Sequence, residues 1–530
     1  MNLWALISFG LFTGLVAWIS YIKTKKESTR TTAGLFFANR KNNFWVIGGA
    51  LFLSNISANQ LIGENESIYI NNMSVIAWGL SSVLAMLLVA EFILPVYFKT
   101  GAMTIPDFLG IRYDKSTKRL VSLIFLASYL VNLLPAVLYG GAVAFTGMFD
   151  ILEPFNLDYW QQIWVMVWVI GLIGGAYSIL GGLRAIAISD SVLSVGLFIV
   201  GLSFPYFGFK YLGNGNWTAG IHKIVSSHQE HLNAIGLPGD EVPFGTIFTG
   251  MFIMNLYYWG MEQYIIQQAM TAKSLSHSQK GMALACVGKL LCPFLINIPG
   301  IIGVHLYGNL TNTAEIFPLV VKDTLPALLT GLTAAVVLGA AVTTFNAGLT
   351  SSSTLFVLNL YKPRLESRGK TVSEKKLVKT SKRFEIIVSL AAMFTAPFII
   401  FANTGFYTYL QQLSGMFCVP IFTIILLGFL TKKVSPEAAK AGVVFFIIAY
   451  IFSNYVFEIK LHYLHLLGTL FLLTSVCMLI VSKLYPNYIH ASIPITDQDF
   501  TPWKNRHWAA IILLICMICI FLFFSRIGIV

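Results

Sequence analysis

The chain has 530 residues, of which 56% are hydrophobic and only 11% charged, well under half the charged share of an ordinary soluble domain, about a quarter. So little charge cannot cover a water-soluble surface of this size, which excludes soluble enzymes and soluble binding modules and makes the lipid bilayer the natural solvent. The formal net charge of +12 is no nucleic-acid footprint, because the basic residues fall in short loops between apolar segments, as topology signals do.

Apolar windows of about twenty residues, each enough to cross a ~30 Å hydrocarbon core, predict fourteen helices: 3–22, 44–63, 74–98, 118–146, 160–180, 188–212, 243–266, 281–306, 325–360, 382–402, 405–430, 437–456, 461–484 and 508–526. The first has no basic residue before it and Lys23, Lys25 and Lys26 after it. A cleavable signal peptide has the reverse order, so this segment is expected to be retained, with its N-terminus outside. The cytoplasmic loops are then 23–43, 99–117, 181–187, 267–280, 361–381, 431–436 and 485–507, and these hold most of the 35 Lys and Arg residues. Glu64, Glu66, Asp150, Glu153, Asp158, Asp240, Glu241 and Glu315 weight the opposite side. An error of one helix would scramble this alternation, which places both termini outside the cytoplasm.

Two segments carry polar residues at bilayer depth. LSNISANQLIG (53–63) contains Ser54, Asn55, Ser57, Asn59 and Gln60, and GMFIMNLYYWGMEQ (250–263) contains Asn255, two tyrosines, Gly260 and Glu262. Backbone that leaves helical pairing in a membrane must line a cavity or be buried in protein. These segments open two stretches of five helices, 44–212 and 243–430, and broken helices in matching places of two halves point to a central binding site. The alternative is polar contact between intact helices. The expected organisation is therefore an extra helix and loop (1–43), a first five-helix repeat (44–212), an external loop (213–242), a second repeat (243–430) and three further helices (431–530). The external loop contains His222, His228 and His231, expected to be solvated. Cys286, Cys292, Cys418, Cys477, Cys516 and Cys519 all lie in apolar runs, where a thiol packs as a small hydrophobe; neither a disulfide framework nor a metal site is indicated.

Several blocks, in order, resemble the solute:sodium symporter family and its sodium/sugar cotransporter branch: FFANRKNNFWVIGGALFLSNISANQLIG (36–63), TIPDFLGIRYDK (104–115), GGLRAIAISD (181–190), NLYYWGMEQYIIQQ (255–268), the Lys289 helix with Pro299–Gly300, and AAVTTFNAGLTSSSTLF (340–356). The resemblance implies an all-α membrane protein with a LeuT-like core of two inverted five-helix repeats, a substrate site at the midplane and alternating access. It also implies a sodium site built from the carbonyls of Leu53, Ile56 and Ala340 and the hydroxyls of Thr343 and Thr344. On the plainer reading, these threonines bond back into their own helix. Some members of the family hold a second ion with an acid matching Asp190 and hydroxyls one turn beyond Thr343. Those later positions are Asn346 and Ala347 here, so one Na⁺ per substrate is expected, and Asp190 is equally readable as a structural partner near Arg184.

For the substrate, the resemblance implies contacts from Asn55, Gln60, Asn255, Lys289 and Gln411, with Tyr258 covering the cytoplasmic side and Trp78 and Tyr407 at the outer gate. Lys289 stands out without any family: an unpaired ammonium in mid-membrane costs at least ~2.5 kcal/mol. A lysine paired with a buried acid for structure alone is the alternative. One departure concerns specificity. The acid that the sugar branch carries on its second core helix is Gly79 here, while Glu64 and Glu66 follow the first broken helix. Glu64 falls at an outer-gate position and is either a partial replacement for that acid or a solvated loop carboxylate. A sodium/sugar symporter is the leading expectation, with Na⁺ and a small polyhydroxylated solute as partners. A symporter for a sugar acid or polyol and a non-transporting sensor are the alternatives. An enzyme is not expected, because no nucleophile–base pair or phosphate loop is visible.

Overall fold

The computed structural model describes residues 3–25, 31–101, 104–149, 152–401, 406–487 and 500–530. Every extended element among them is helical; backbone pairing of strand type is limited to one isolated bridge, Asn42 with Ala272. Among the described residues, eleven helices are long and apolar enough to cross a bilayer, twelve when the bent pair Phe44–Asn55 and Ala58–Ile70 counts as one. The segments expected at 160–180 and 243–266 are helical but meet that criterion less simply. The first is the N-terminal part of Tyr159–Leu212, which turns at Gly182 (φ 64°), a backbone state open to glycine without strain. The second is divided into Gly250–Met261 and Gln263–Ala269.

Both expected breaks are present, and local chemistry accounts for them. In the first broken helix the axis bends by 51° at Ile56 and Ser57, which leave helical geometry. Asn43 starts the helix by accepting from the Val46 N–H at 3.0 Å. The expected span at 44–63 is corrected at its far end: the helix runs on to Ile70, so Glu64 and Glu66 lie inside it and are buried. They are not solvated loop carboxylates. In the second, Glu262 adopts extended backbone and its side chain caps the Gln263 N–H at 3.1 Å.

Four π-helical turns interrupt other helices at Val89–Ile93, Tyr129–Leu133, Leu355–Tyr361 and Phe452–Val456. Three of them are followed by a helix with proline in its first turn (Pro95, Pro135 and Pro363). A proline supplies no N–H and crowds the preceding carbonyl, and the wider turn absorbs the mismatch.

The helix Ala327–Thr354 runs through the middle of the molecule. It packs against Tyr159–Leu212, Leu3–Thr24, Leu134–Met148 and both halves of the first broken helix, with buried Ala340, Ala341, Thr343, Thr344 and Asn346 along its inner face. At the periphery, Arg506–Phe523 exposes Ile511, Ile512, Ile515 and Ile518, an apolar surface suited to lipid. It is tied to the core by Arg506 on Glu91 at 2.7 Å. The expected loop 213–242 contains its own helix, Trp217–Ser226. His231 is not simply solvated, since its Nδ1 lies 2.8 Å from the Ile68 carbonyl at the end of the first broken helix.

Candidate functional site: a cavity between two broken helices

Breaking a helix releases carbonyls. In an unbroken helix the Leu53 carbonyl would accept from Ser57 and the Ile56 carbonyl from Gln60. Instead the Ser57 N–H turns to Asn55 at 2.9 Å and the Gln60 N–H to Ser57 at 3.0 Å. The Leu53 and Ile56 carbonyls are thereby left out of the ladder, beside the helix that carries the two threonines.

Those threonines behave differently. Four other buried hydroxyls on that helix bond back to its carbonyls, Thr333 to Leu329 at 2.8 Å, Ser352 to Leu349 at 2.8 Å, Ser353 to Thr350 at 3.0 Å and Thr354 to Thr350 at 2.7 Å, and Ser351 donates to Gln267 at 2.9 Å. Thr343 does so weakly, to Ala340 at 3.4 Å. Thr344 does not: its Oγ1 is buried and has no protein partner. The plainer reading of the pair therefore describes Thr343 and fails for Thr344. Nearby, Asp190 is wholly buried, accepts from Ser54 Oγ at 3.1 Å and keeps its second oxygen unpartnered. Its hydrogen-bond partner is the Ser54 hydroxyl and not an arginine.

The broken helices enclose a cavity of ≈ 180 Å³. Asn55, Gln60, Trp78, Asn255, Tyr258, Lys289, Thr344, Tyr407 and Gln411 all line it. So every residue expected to touch substrate meets at one place, together with one of the two threonines. Lys289 donates to Asn55 Oδ1 at 2.6 Å and Asn255 to Ser81 Oγ at 3.0 Å. The Gln60 Oε1 is buried without a partner on the cavity wall. Tyr258 bonds Tyr264 through their hydroxyls at 2.7 Å.

Glu64 is not on the cavity wall but directly behind it. One carboxylate oxygen accepts from Gln60 Nε2, the other from Asn297 Nδ2 at 2.9 Å. A second space, of ≈ 660 Å³, opens where the 239–241 segment meets the first broken helix. Tyr407 lines both spaces and is the side chain between them. It packs closely on Gly63, where an added Cβ would come within 2.9 Å of its side chain. Above Tyr407, the Glu241 carboxylate accepts from Ser67, from Asn71 at 2.8 Å and from Thr408, joining the first broken helix to Phe406–Leu430.

Several wall residues escaped sequence reasoning. Tyr129 and Asn132 sit on a π-helical turn, and Tyr129 donates to Glu262 at 2.5 Å while its oxygen receives the Tyr264 N–H at 3.1 Å. Asn132 donates to Ser414 at 2.7 Å. The available signal was an Asn in an apolar run three residues before Pro135; π turns often mark functional sites.

Two broken helices around a cavity lined by amides, hydroxyls and aromatic rings are the arrangement of a secondary transporter's binding site. The comparisons with known proteins agree. Residues 35–445 match the model of the sodium:solute symporter family, and the chain belongs to that family. It is 36% identical to an uncharacterized symporter, YidK, of Escherichia coli strain K12, over all of this chain and 92% of the relative. It is 28% identical to a sodium/glucose cotransporter of Vibrio parahaemolyticus, over 83% of this chain and 82% of the relative. It is also 25% identical to human sodium/myo-inositol cotransporter 2, over 83% and 67%. A solved structure of a Na⁺-coupled sialic acid symporter in an outward-open state superposes with a TM-score of 0.76 at 17% identity, covering 91% of this chain and 98% of that one. That likeness establishes the LeuT-like fold. The protein is a multi-pass membrane symporter that couples a small solute to Na⁺.

Proposed function

We propose that the chain imports a sugar or similar polyhydroxylated solute with one Na⁺ per substrate, by alternating access of the central cavity. The observation that carries this reading is the meeting of Asn55, Gln60, Asn255, Lys289 and Gln411 on one cavity wall beside Trp78 and Tyr258. Amides match a ring of hydroxyls and aromatic faces match its C–H surfaces.

In this reading Na⁺ sits among the carbonyls of Leu53, Ile56 and Ala340 and the hydroxyls of Thr343 and Thr344. One ion is enough to drive accumulation. A ~100 mV potential contributes ~2.3 kcal/mol and a tenfold gradient ~1.4 kcal/mol; together they support a concentration ratio of several hundred. The 44–212 and 243–430 repeats move relative to each other around the site, with both termini on the extracytoplasmic side.

The test is uptake of labelled sugars and polyols into proteoliposomes. A Na⁺ gradient should drive accumulation and a proton gradient of equal size should not; equal driving by protons overturns the Na⁺ assignment. Tyr407 is the outer gate in this scheme, and Cys418 on the cavity wall reports on it. Tyr407→Ala should raise the rate of Cys418 modification by a membrane-impermeant thiol reagent roughly tenfold or more. An unchanged rate would remove Tyr407 from the barrier.

A further inference from the structure

We infer that the solute carries a carboxylate, which docks on the Lys289 ammonium. This rests on the reading of the central cavity as the solute site. Lys289 and Glu262 are the charged residues of its wall, and Lys289 is 2% exposed. An ammonium has three donors; one goes to the neutral amide of Asn55 at 2.6 Å. Lys118, Lys440 and Arg506 pair with acids elsewhere in the molecule, whereas no described acid lies within ion-pair distance of Lys289.

The reason lies in two positions. At Gly79 an added Cβ would be 3.5 Å from both Cε and Nζ of Lys289, so the lysine runs over a stretch of helix that offers it no side chain. An acid there would pair with it directly. Glu64 does not take over that role by contact: its two oxygens receive Gln60 and Asn297. Glu262 is likewise engaged, by Tyr129 at 2.5 Å and the Gln263 N–H at 3.1 Å. The wall thus combines a buried cation lacking an anion in contact with neutral amide groups, Gln60 Oε1 among them free to accept. A buried charge in a membrane protein finds a partner, and a carboxylate on the solute provides one. Amides then read the hydroxyls. The chemistry that fits is a sugar acid, a uronate or an aldonate.

The experiment uses full-length protein in nanodiscs with Na⁺ and three ligand groups: hexuronates and aldonates, neutral hexoses and polyols, and short carboxylates without hydroxyls. At least one sugar acid should bind roughly tenfold or more tighter than its neutral counterpart. Lys289→Gln should abolish that preference. Gly79→Glu, whose Cβ would lie 3.5 Å from the ammonium nitrogen without a clash, should reverse the order and keeps the test decisive if the lysine variant fails to fold. A neutral sugar bound as tightly as or more tightly than every acid overturns this inference and leaves the polyhydroxylated-solute reading intact. Binding of only the short carboxylates keeps the Lys289 dock and sinks the sugar reading. Binding of none sinks both.

Discussion

Thr344→Ala is expected to raise the Na⁺ concentration for half-maximal uptake by roughly tenfold to a hundredfold, beyond what an ordinary gradient supplies. The hydroxyl is buried, faces the cavity and has no protein partner, whereas neighbouring hydroxyls on the same helix are satisfied by its carbonyls. Leaving such a group unpaired costs ~1–3 kcal/mol, a cost that a bound cation offsets. Removing it should therefore leave folding nearly unchanged, or slightly improve it, while Na⁺ loses an oxygen ligand of comparable worth. Thr344→Ser retains the oxygen and should restore near-normal coupling. Thr343→Ala should have the smaller effect, because that hydroxyl already contacts Ala340. Sodium titration of substrate uptake in proteoliposomes decides the matter; a Thr344→Ala protein with wild-type Na⁺ dependence would exclude this residue from the ion site.

Glu64→Gln is expected to weaken substrate binding by about fivefold to a hundredfold, although Glu64 does not line the cavity. Both oxygens of Glu64 accept from amide N–H groups, one from Gln60 and one from Asn297. Glutamine has one oxygen and one NH₂. If Gln60 keeps its orientation, two donors face each other in a buried site, a penalty of ~1–3 kcal/mol. If Gln60 flips to relieve this, the atom it presents to the cavity changes from the acceptor Oε1 to a donor. The third arrangement, in which Asn297 flips instead, gives up the Asn297 N–H that now holds this side chain in place. Glu64→Asp should also lose affinity, through distance, and Glu64→Ala more severely. An unchanged substrate affinity in Glu64→Gln, measured by equilibrium binding, would show that Glu64 neither orients Gln60 nor stands in for the acid missing at position 79.

Membrane class, helix order and the positions of both helix breaks were all legible in the sequence. These depend on short-range chemistry: hydrophobic run length against bilayer thickness, and polar side chains where a membrane allows none without a purpose. The residues of the cavity were legible mainly through family resemblance, since amides, an ammonium and aromatics hundreds of positions apart carry no local signal that they meet. Glu64 shows the limit most clearly. Its neighbours in the chain allowed a loop carboxylate or a gate residue, and only the packing of Ala58–Ile70 against the Ile298–Leu306 region and the reach of Asn297 buried it behind Gln60. Tyr129 and Glu262 likewise become partners at 2.5 Å across 133 positions.

What the sequence determined by itself is that this chain lives in a bilayer and interrupts two of its helices, because run length and polarity are properties of each segment alone. Which polar atoms remain unpaired was decided by the tertiary structure. Thr344 Oγ1, Gln60 Oε1 and the second oxygen of Asp190 have residue types that are usually satisfied. Whether a hydrogen-bonding group finds a partner depends on every helix packed around it, and these three lie where ion and solute are proposed to bind.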